Sequence, residues 1–361
     1  MLSPIFPFSP LVHLAQFVVV LSLLGRLVQA VDENGNLHIT DIFNVKTTGT
    51  GSCNGRVDEL NQWFLDSQAV ASAPVTVASN AVRDVLDEAT LVDMEYVGAF
   101  FGIPPPDDEP GSQTRLLLEA LQAAQSFLKG EATPMGGKPW LYCSDGWQEE
   151  VSWVDAPKAN RVYREEEGEV RGTSWLHSTF RGIFYEFYYN RADPATGDAI
   201  NPQLLPYVPW WVEDLKQYFF LPSGNAKSCS IPTNLGSTLH QTAPMIVILC
   251  LDNDGKGRPS LLSDLEPVNA ENALVATRRT LSLTLYHEVL HLIIKGISED
   301  FTYEFDEIVG AKNLPGTDEK ISPGQAILNP ESYTVFALAT YLAEKYPDYD
   351  FWSGRSKLKS A

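Results

Sequence analysis

The chain has 361 residues and carries 46 Asp and Glu against 26 Lys and Arg, a formal charge of −20. A surface this acidic repels nucleic acid and anionic membrane, so neither is expected as a partner. It fits a soluble exported protein and does not by itself select a substrate.

Residues 1–30 read as a secretory signal, with few charges, an apolar core from Phe17 to Leu24, and a small-residue end at Val28-Gln29-Ala30. Their early part lacks Lys and Arg, which leaves an uncleaved anchor as the alternative. No later segment is apolar over enough length to span a bilayer, so the expectation is a secreted, extracellular protein without stable membrane association. Residues 31–52 read as an amino-terminal arm, and 53–361 as a catalytic domain or two closely packed lobes. The four cysteines, Cys53, Cys143, Cys229 and Cys250, are spaced too widely for a CxxC metal site and predict two disulfides, with three pairings open.

Leu37 to Val45 is expected as a short strand or extended arm. Helical periodicity marks Arg56 to Val70 and Ser79 to Leu91, and the Pro- and Gly-rich stretch from Gly102 to Gly111 reads as a stiff connection. Ser112 is placed to cap a helix that runs to Gly130. Beyond Gly136 the texture changes to aromatic and β-branched runs at Trp140 to Cys143, Val151 to Trp153, Arg161 to Tyr163 and Phe184 to Tyr189. Glu165 to Glu169 reads as a solvated acidic turn, His177 as structural, and Pro209 to Phe220 as a capped amphipathic element. Met245 to Leu251 is the strongest strand signal and ends in a turn, Asp252 to Gly257.

The chemistry is concentrated at His287-Glu288-Val289-Leu290-His291, a complete HExxH motif inside an apolar, helical run. Residues i and i+4 lie above one another on a helix, so both imidazoles can reach one zinc ion. Glu288 stands beside that face, where a carboxylate can take a proton from water. The helix is expected to begin as early as Asn272, to anchor through Leu283, Tyr286, Leu290 and Ile293 or Ile294, and to stop at Gly296.

A catalytic zinc takes three protein ligands, and no histidine follows His291. A downstream third ligand is therefore a carboxylate, and Glu299, Asp300, Glu304, Asp306, Glu307 and Glu331 are all open on spacing alone. The motif followed by Asp306-Glu307-Ile308-Val309-Gly310 resembles the aspzincin pattern of deuterolysin-like secreted metalloendopeptidases, in which HExxH is followed by GTxDxxYG. Asn329-Pro330-Glu331-Ser332-Tyr333, with Phe336 and Ala337, is similar to that family's downstream Asn-x-Asp-Ser-Tyr…Phe-Ala segment.

The resemblance implies an α+β, zincin-like fold with a strand-rich region before the helix, and zinc held by His287, His291 and Asp306. It implies an endopeptidase acting on protein or peptide substrates, with Glu288 as the proton acceptor. Two positions depart from the pattern: Tyr303-Glu304 replaces Gly-Thr, and Val309 replaces the tyrosine that in the family helps stabilise the oxyanion. Tyr303 or Tyr333 is the candidate to supply that hydroxyl. Val309 also motivates the alternative of a catalytically weak or inactive relative that binds peptides or proteins in the same cleft. Asn329 and Pro330 are suited to start a last helix reaching Tyr346, and Lys357 to Ala361 reads as a disordered tail. The sequence leaves the oligomeric state open.

Overall fold

The computed structural model describes residues 37–82, 87–103, 112–150, 207–222, 227–253, 255, 257–294, 300–309 and 321–359. The signal segment, the acidic run at Glu165 to Glu169, His177, the strand-like runs between Val151 and Tyr189, and Gly296 and Gly310 lie outside the described residues.

The architecture is α+β. Leu37 to Val45 forms a helical turn, α1 (Ile39–Ile42), and a two-residue strand, β1 (Asn44–Val45), with Ile39, Ile42 and Phe43 in the core. Helices α2 (Val57–Val70), α3 (Ala73–Ala81), α4 (Glu88–Phe101) and α5 (Gln113–Leu128) follow. The single helix expected across Ser79 to Leu91 is two. Asp87 accepts a hydrogen bond from the Thr90 amide at 2.8 Å and starts α4 anew, a capping signal that outweighs the apolar periodicity running through it. Ser112 caps α5 as expected, accepting from the Arg115 amide at 3.3 Å.

Strand β2 (Trp140–Tyr142) pairs in parallel with β1 on one side and with β7 (Ile246–Leu249) on the other. Strand β6 (Gly236–Leu239) closes this four-stranded sheet, antiparallel to β7, in the order β1-β2-β7-β6. All four β7 residues are buried, which is why that run carries no polar alternation. A second sheet joins β3 (Glu149–Glu150), β4 (Tyr207–Val212) and β5 (Gln217–Pro222). Pro209 to Phe220 is therefore a β-hairpin, with Trp210 opposite Phe219 and Lys216 in the left-handed region at φ 53°. The amphipathic element expected there is thus a strand pair, as its aromatic and β-branched content favours.

Disulfides join Cys53 to Cys143 and Cys229 to Cys250. The first ties the start of α2 to the end of β2. The second ties the approach to β6 to the residue that follows β7.

The metal-motif helix is α6 (Leu283–Ile293), beginning eleven residues later than Asn272. Asn272 itself is left-handed at φ 64°, Val275–Arg278 is a short 3-10 helix, and Arg279 is extended, so no α-helix runs from Asn272 into the motif. The Leu281 and Ser282 amides donate to the carbonyls of Pro259 and Ser260, and the Ser282 hydroxyl to Asp66 at 2.6 Å, which pins the start of α6. Two short helices, α7 (Phe305–Ile308) and α8 (Pro323–Ala326), precede α9 (Pro330–Lys345).

Helices α6 and α9 form the centre of the molecule. Residues 283 to 292 are all buried, and so are residues 330 to 340. Rings from α4 seal one side of α9: Phe101 meets Tyr333 at 5.1 Å and Phe336 at 5.3 Å, both edge-on. Thr334 and Thr340 satisfy their hydroxyls on carbonyls of their own helix, which lets polar residues sit on an enclosed face. The carboxyl-terminal segment is ordered through Lys359: β8 (Tyr349–Asp350) pairs with β9 (Lys357–Leu358), correcting the expectation of a disordered tail there. Among the described residues no helix is long and apolar enough to cross a membrane.

Candidate metal centre

Helical spacing brings the two motif rings together. His287 Nε2 and His291 Nε2 lie 3.2 Å apart, and one oxygen of Asp300 is 3.1 Å from the first and 3.2 Å from the second. Three donor atoms thus form a nearly equilateral triangle. Tetrahedral zinc with bonds of about 2.0–2.1 Å separates its ligands by about 3.3 Å, so the edges match a zinc ligand set. Two imidazoles and one carboxylate also suit that ion chemically and leave a fourth position for substrate or water.

The third donor is the residue nine positions after His291. Asp300 was one of six carboxylates open on spacing, and the family pattern pointed instead to Asp306. In the structure Asp306 is exposed on α7 and is not among the groups that converge on the two imidazoles. Asp300 stands ahead of α7 with an oxygen within 3.2 Å of both rings, whereas Asp306 lies on that helix. Tyr333 is likewise elsewhere: its ring is buried against α4, and its hydroxyl donates to the Ile327 carbonyl at 2.8 Å.

Glu331, at the first turn of α9, orients the site from behind. With His287 in the Nδ1-protonated form, that nitrogen donates to Glu331 Oε2 at 3.0 Å and Nε2 turns its lone pair toward the triangle. The other Glu331 oxygen forms an ion pair with Arg279, whose guanidinium also donates to the Tyr303 carbonyl at 3.3 Å. Burial opposes a charge on His287, yet Asp300 and Glu331 together push its pKa up to about 10. Asp300 would be raised by burial, but its bonds to both histidines hold it well below the usual carboxylate range. The site is an electrostatically matched cluster.

Glu288 is 3 % exposed and faces β6. Its Oε2 accepts from the Thr238 hydroxyl at 2.7 Å, so Oε1 is the oxygen left to handle a proton. Burial raises its pKa, moderated by His291, His287 and Thr238. A buried carboxylate with raised basicity suits general-base work near neutrality. Tyr303 stacks on His287 with centroids 5.6 Å apart and planes 21° from parallel. Desolvation and the adjacent Asp300 both oppose ionisation of its phenol, so it remains a hydrogen-bond donor.

Gly236 explains how β6 comes so close. A Cβ there would stand 2.6 Å from Glu288 Oε1 and 3.0 Å from its Cγ, inside contact distance. Gly236→Ala should therefore displace the Glu288 carboxylate and cost about 1–3 kcal/mol of stability through overpacking. Urea denaturation together with kcat measures both effects, and a variant with unchanged stability and turnover would remove this account of the glycine.

Sequence reasoning found His287, His291 and Glu288 outright. It held Asp300 and Glu331 only as members of a list, and it had no signal for Thr238 or Gly236, which reach the helix from a strand some 50 residues earlier in the chain.

His287-Glu288-x-x-His291 with Asp300 is the HExxH-plus-carboxylate signature of zinc proteases, carried on an α+β, zincin-like scaffold. No protein-family model, curated protein or solved structure matches the chain.

Proposed function

We propose that the protein is a secreted zinc endopeptidase related to the deuterolysin-like aspzincins. The observation that carries the reading is the triangle of His287, His291 and Asp300 with Glu288 buried beside it. Bound there, zinc supplies a Lewis acid that makes water acidic and polarises a carbonyl. Glu288 Oε1 accepts the proton of the attacking water and returns it to the departing amine. Thr238 fixes the carboxylate by holding its second oxygen. Glu331 fixes the His287 ring, and Arg279 balances the charge of Glu331.

Strand β6 lies next to Glu288 and is hydrogen-bonded on one side only among the described residues, to β7. An extended peptide laid along its open edge would bring a backbone carbonyl to the site, as in strand addition. Tyr303 takes the part that Val309 cannot. Its phenol stands at the open side of the cleft, whereas Val309 is buried, 7 % exposed, beside Gly354. Export to an oxidising compartment accounts for both disulfides.

The test is cleavage of a mixed peptide library by the mature protein with its metal content measured in parallel. Close to one zinc per chain, cleavage abolished by a chelator and restored by zinc are the expected results. Stoichiometric zinc without cleavage would favour the binding-protein alternative, and absence of zinc from protein never exposed to chelator would count against catalysis.

A further inference from the structure

A cavity of about 600 Å³ lies beside the metal centre, lined by His287, Glu288 and Tyr303, and continues to Arg258, Arg279 and Thr280. Two guanidinium groups in one cleft are unexpected on a chain of charge −20. They are not equivalent. Arg279 is committed to Glu331 and to the Tyr303 carbonyl. Arg258 is half-buried and has no carboxylate within ion-pair distance among the described residues, and the backbone just after it is fixed where the Pro259 and Ser260 carbonyls receive the amides that lead into α6.

The cavity wall also carries three carboxylates, Glu288, Glu304 and Glu331, and none of them pairs with Arg258. Burial and the like charge of Arg279 both work against protonated Arg258, and Glu331 is the acidic group that offsets them. Glu331 already serves His287 and Arg279. Glu304, also on the cavity wall, is exposed to solvent. A half-buried guanidinium whose donors have no partner among the described residues is suited to receive a planar, bidentate acceptor.

We infer that Arg258 forms a carboxylate-recognising subsite of the cleft, so that the preferred ligand is a peptide presenting an acidic side chain or a free chain terminus beside the metal centre. This deepens the peptidase reading and rests on it for the identity of the ligand as a peptide. Net charge by itself selects no substrate, and this preference comes from the cleft alone. The global surface acts at a distance and is screened over about 8–10 Å, whereas Arg258 acts at contact inside the cavity.

The experiment uses the full chain carrying Glu288→Gln, so that binding is read without turnover. Fluorescence polarisation compares labelled peptides of one sequence scanned with Glu or Gln, each with a free or an amidated terminus. Carboxylate-bearing peptides should bind tenfold or more tightly than their neutral counterparts, and adding Arg258→Gln should abolish the difference while Arg258→Lys keeps part of it. Preference that survives amidation assigns the carboxylate to a side chain; preference that disappears assigns it to the terminus, and either supports the subsite. Equal affinities for all four peptides, or discrimination unchanged by Arg258→Gln, overturn it. Thermal melts of both Arg258 variants check folding, with the Lys variant carrying the test should the Gln variant unfold. Cleavage by the wild-type protein is scored separately, so carboxylate preference without cleavage sinks the peptidase reading and leaves the subsite standing.

Discussion

Glu288→Gln should lower kcat on a peptide substrate by about 10²- to 10⁴-fold and leave the zinc content at the wild-type level. The substitution keeps the volume and the hydrogen bond that Thr238 donates to the side-chain oxygen, so the packing of α6 against β6 survives. What disappears is the capacity of Oε1 to take a proton. Because Glu288 is buried and not part of the donor triangle, metal retention and loss of turnover should separate cleanly. Equal rates in the two proteins would eliminate Glu288 as the base.

The second large effect distinguishes two aspartates six residues apart. Asp300→Ala should weaken zinc binding by more than about 100-fold and abolish activity, since it removes one of three protein ligands. Asp306→Ala should leave both near wild type, because that side chain is exposed on α7. Zinc stoichiometry after dialysis against a weak chelator, measured for both variants, decides the matter. The reverse pattern would restore the assignment that the aspzincin resemblance implies.

That pair of variants also marks the boundary of what one-dimensional information conveys. His287, Glu288 and His291 were legible because helical geometry converts a spacing of four into one face. The strand at Ile246 to Leu249 and the helices ending at Val70 and Leu128 were legible because burial leaves a repeating apolar signature. Asp300 was not singled out because nothing local distinguishes it from five other acids; its role is set by where the chain turns back after α6. The hairpin from Tyr207 to Pro222 was legible only as an amphipathic element because alternating aromatics and prolines serve a covered sheet and a helix face almost equally well on paper. Gly236 and Thr238 carry no local signature at all, since their importance comes from a helix that packs on them across the fold.

Arg258 lines the cavity and Asp300 belongs to the donor triangle beside it, so their variants should act independently: one changes which peptide is held, the other whether the metal is. Their effects on free energy should therefore add when combined, provided Arg279 remains paired with Glu331.

Glu331 has one more consequence, which concerns the timing of assembly. The acceptor that aligns the His287 ring is supplied by α9, 44 residues downstream, and that helix is enclosed on nearly every side. During synthesis the two imidazoles leave the ribosome well before their aligning partner, so a nascent chain carries the motif without its finished geometry. The orientation of the His287 ring is thereby tied to the packing of α9 against α6, so the motif and its alignment are completed at different stages of folding.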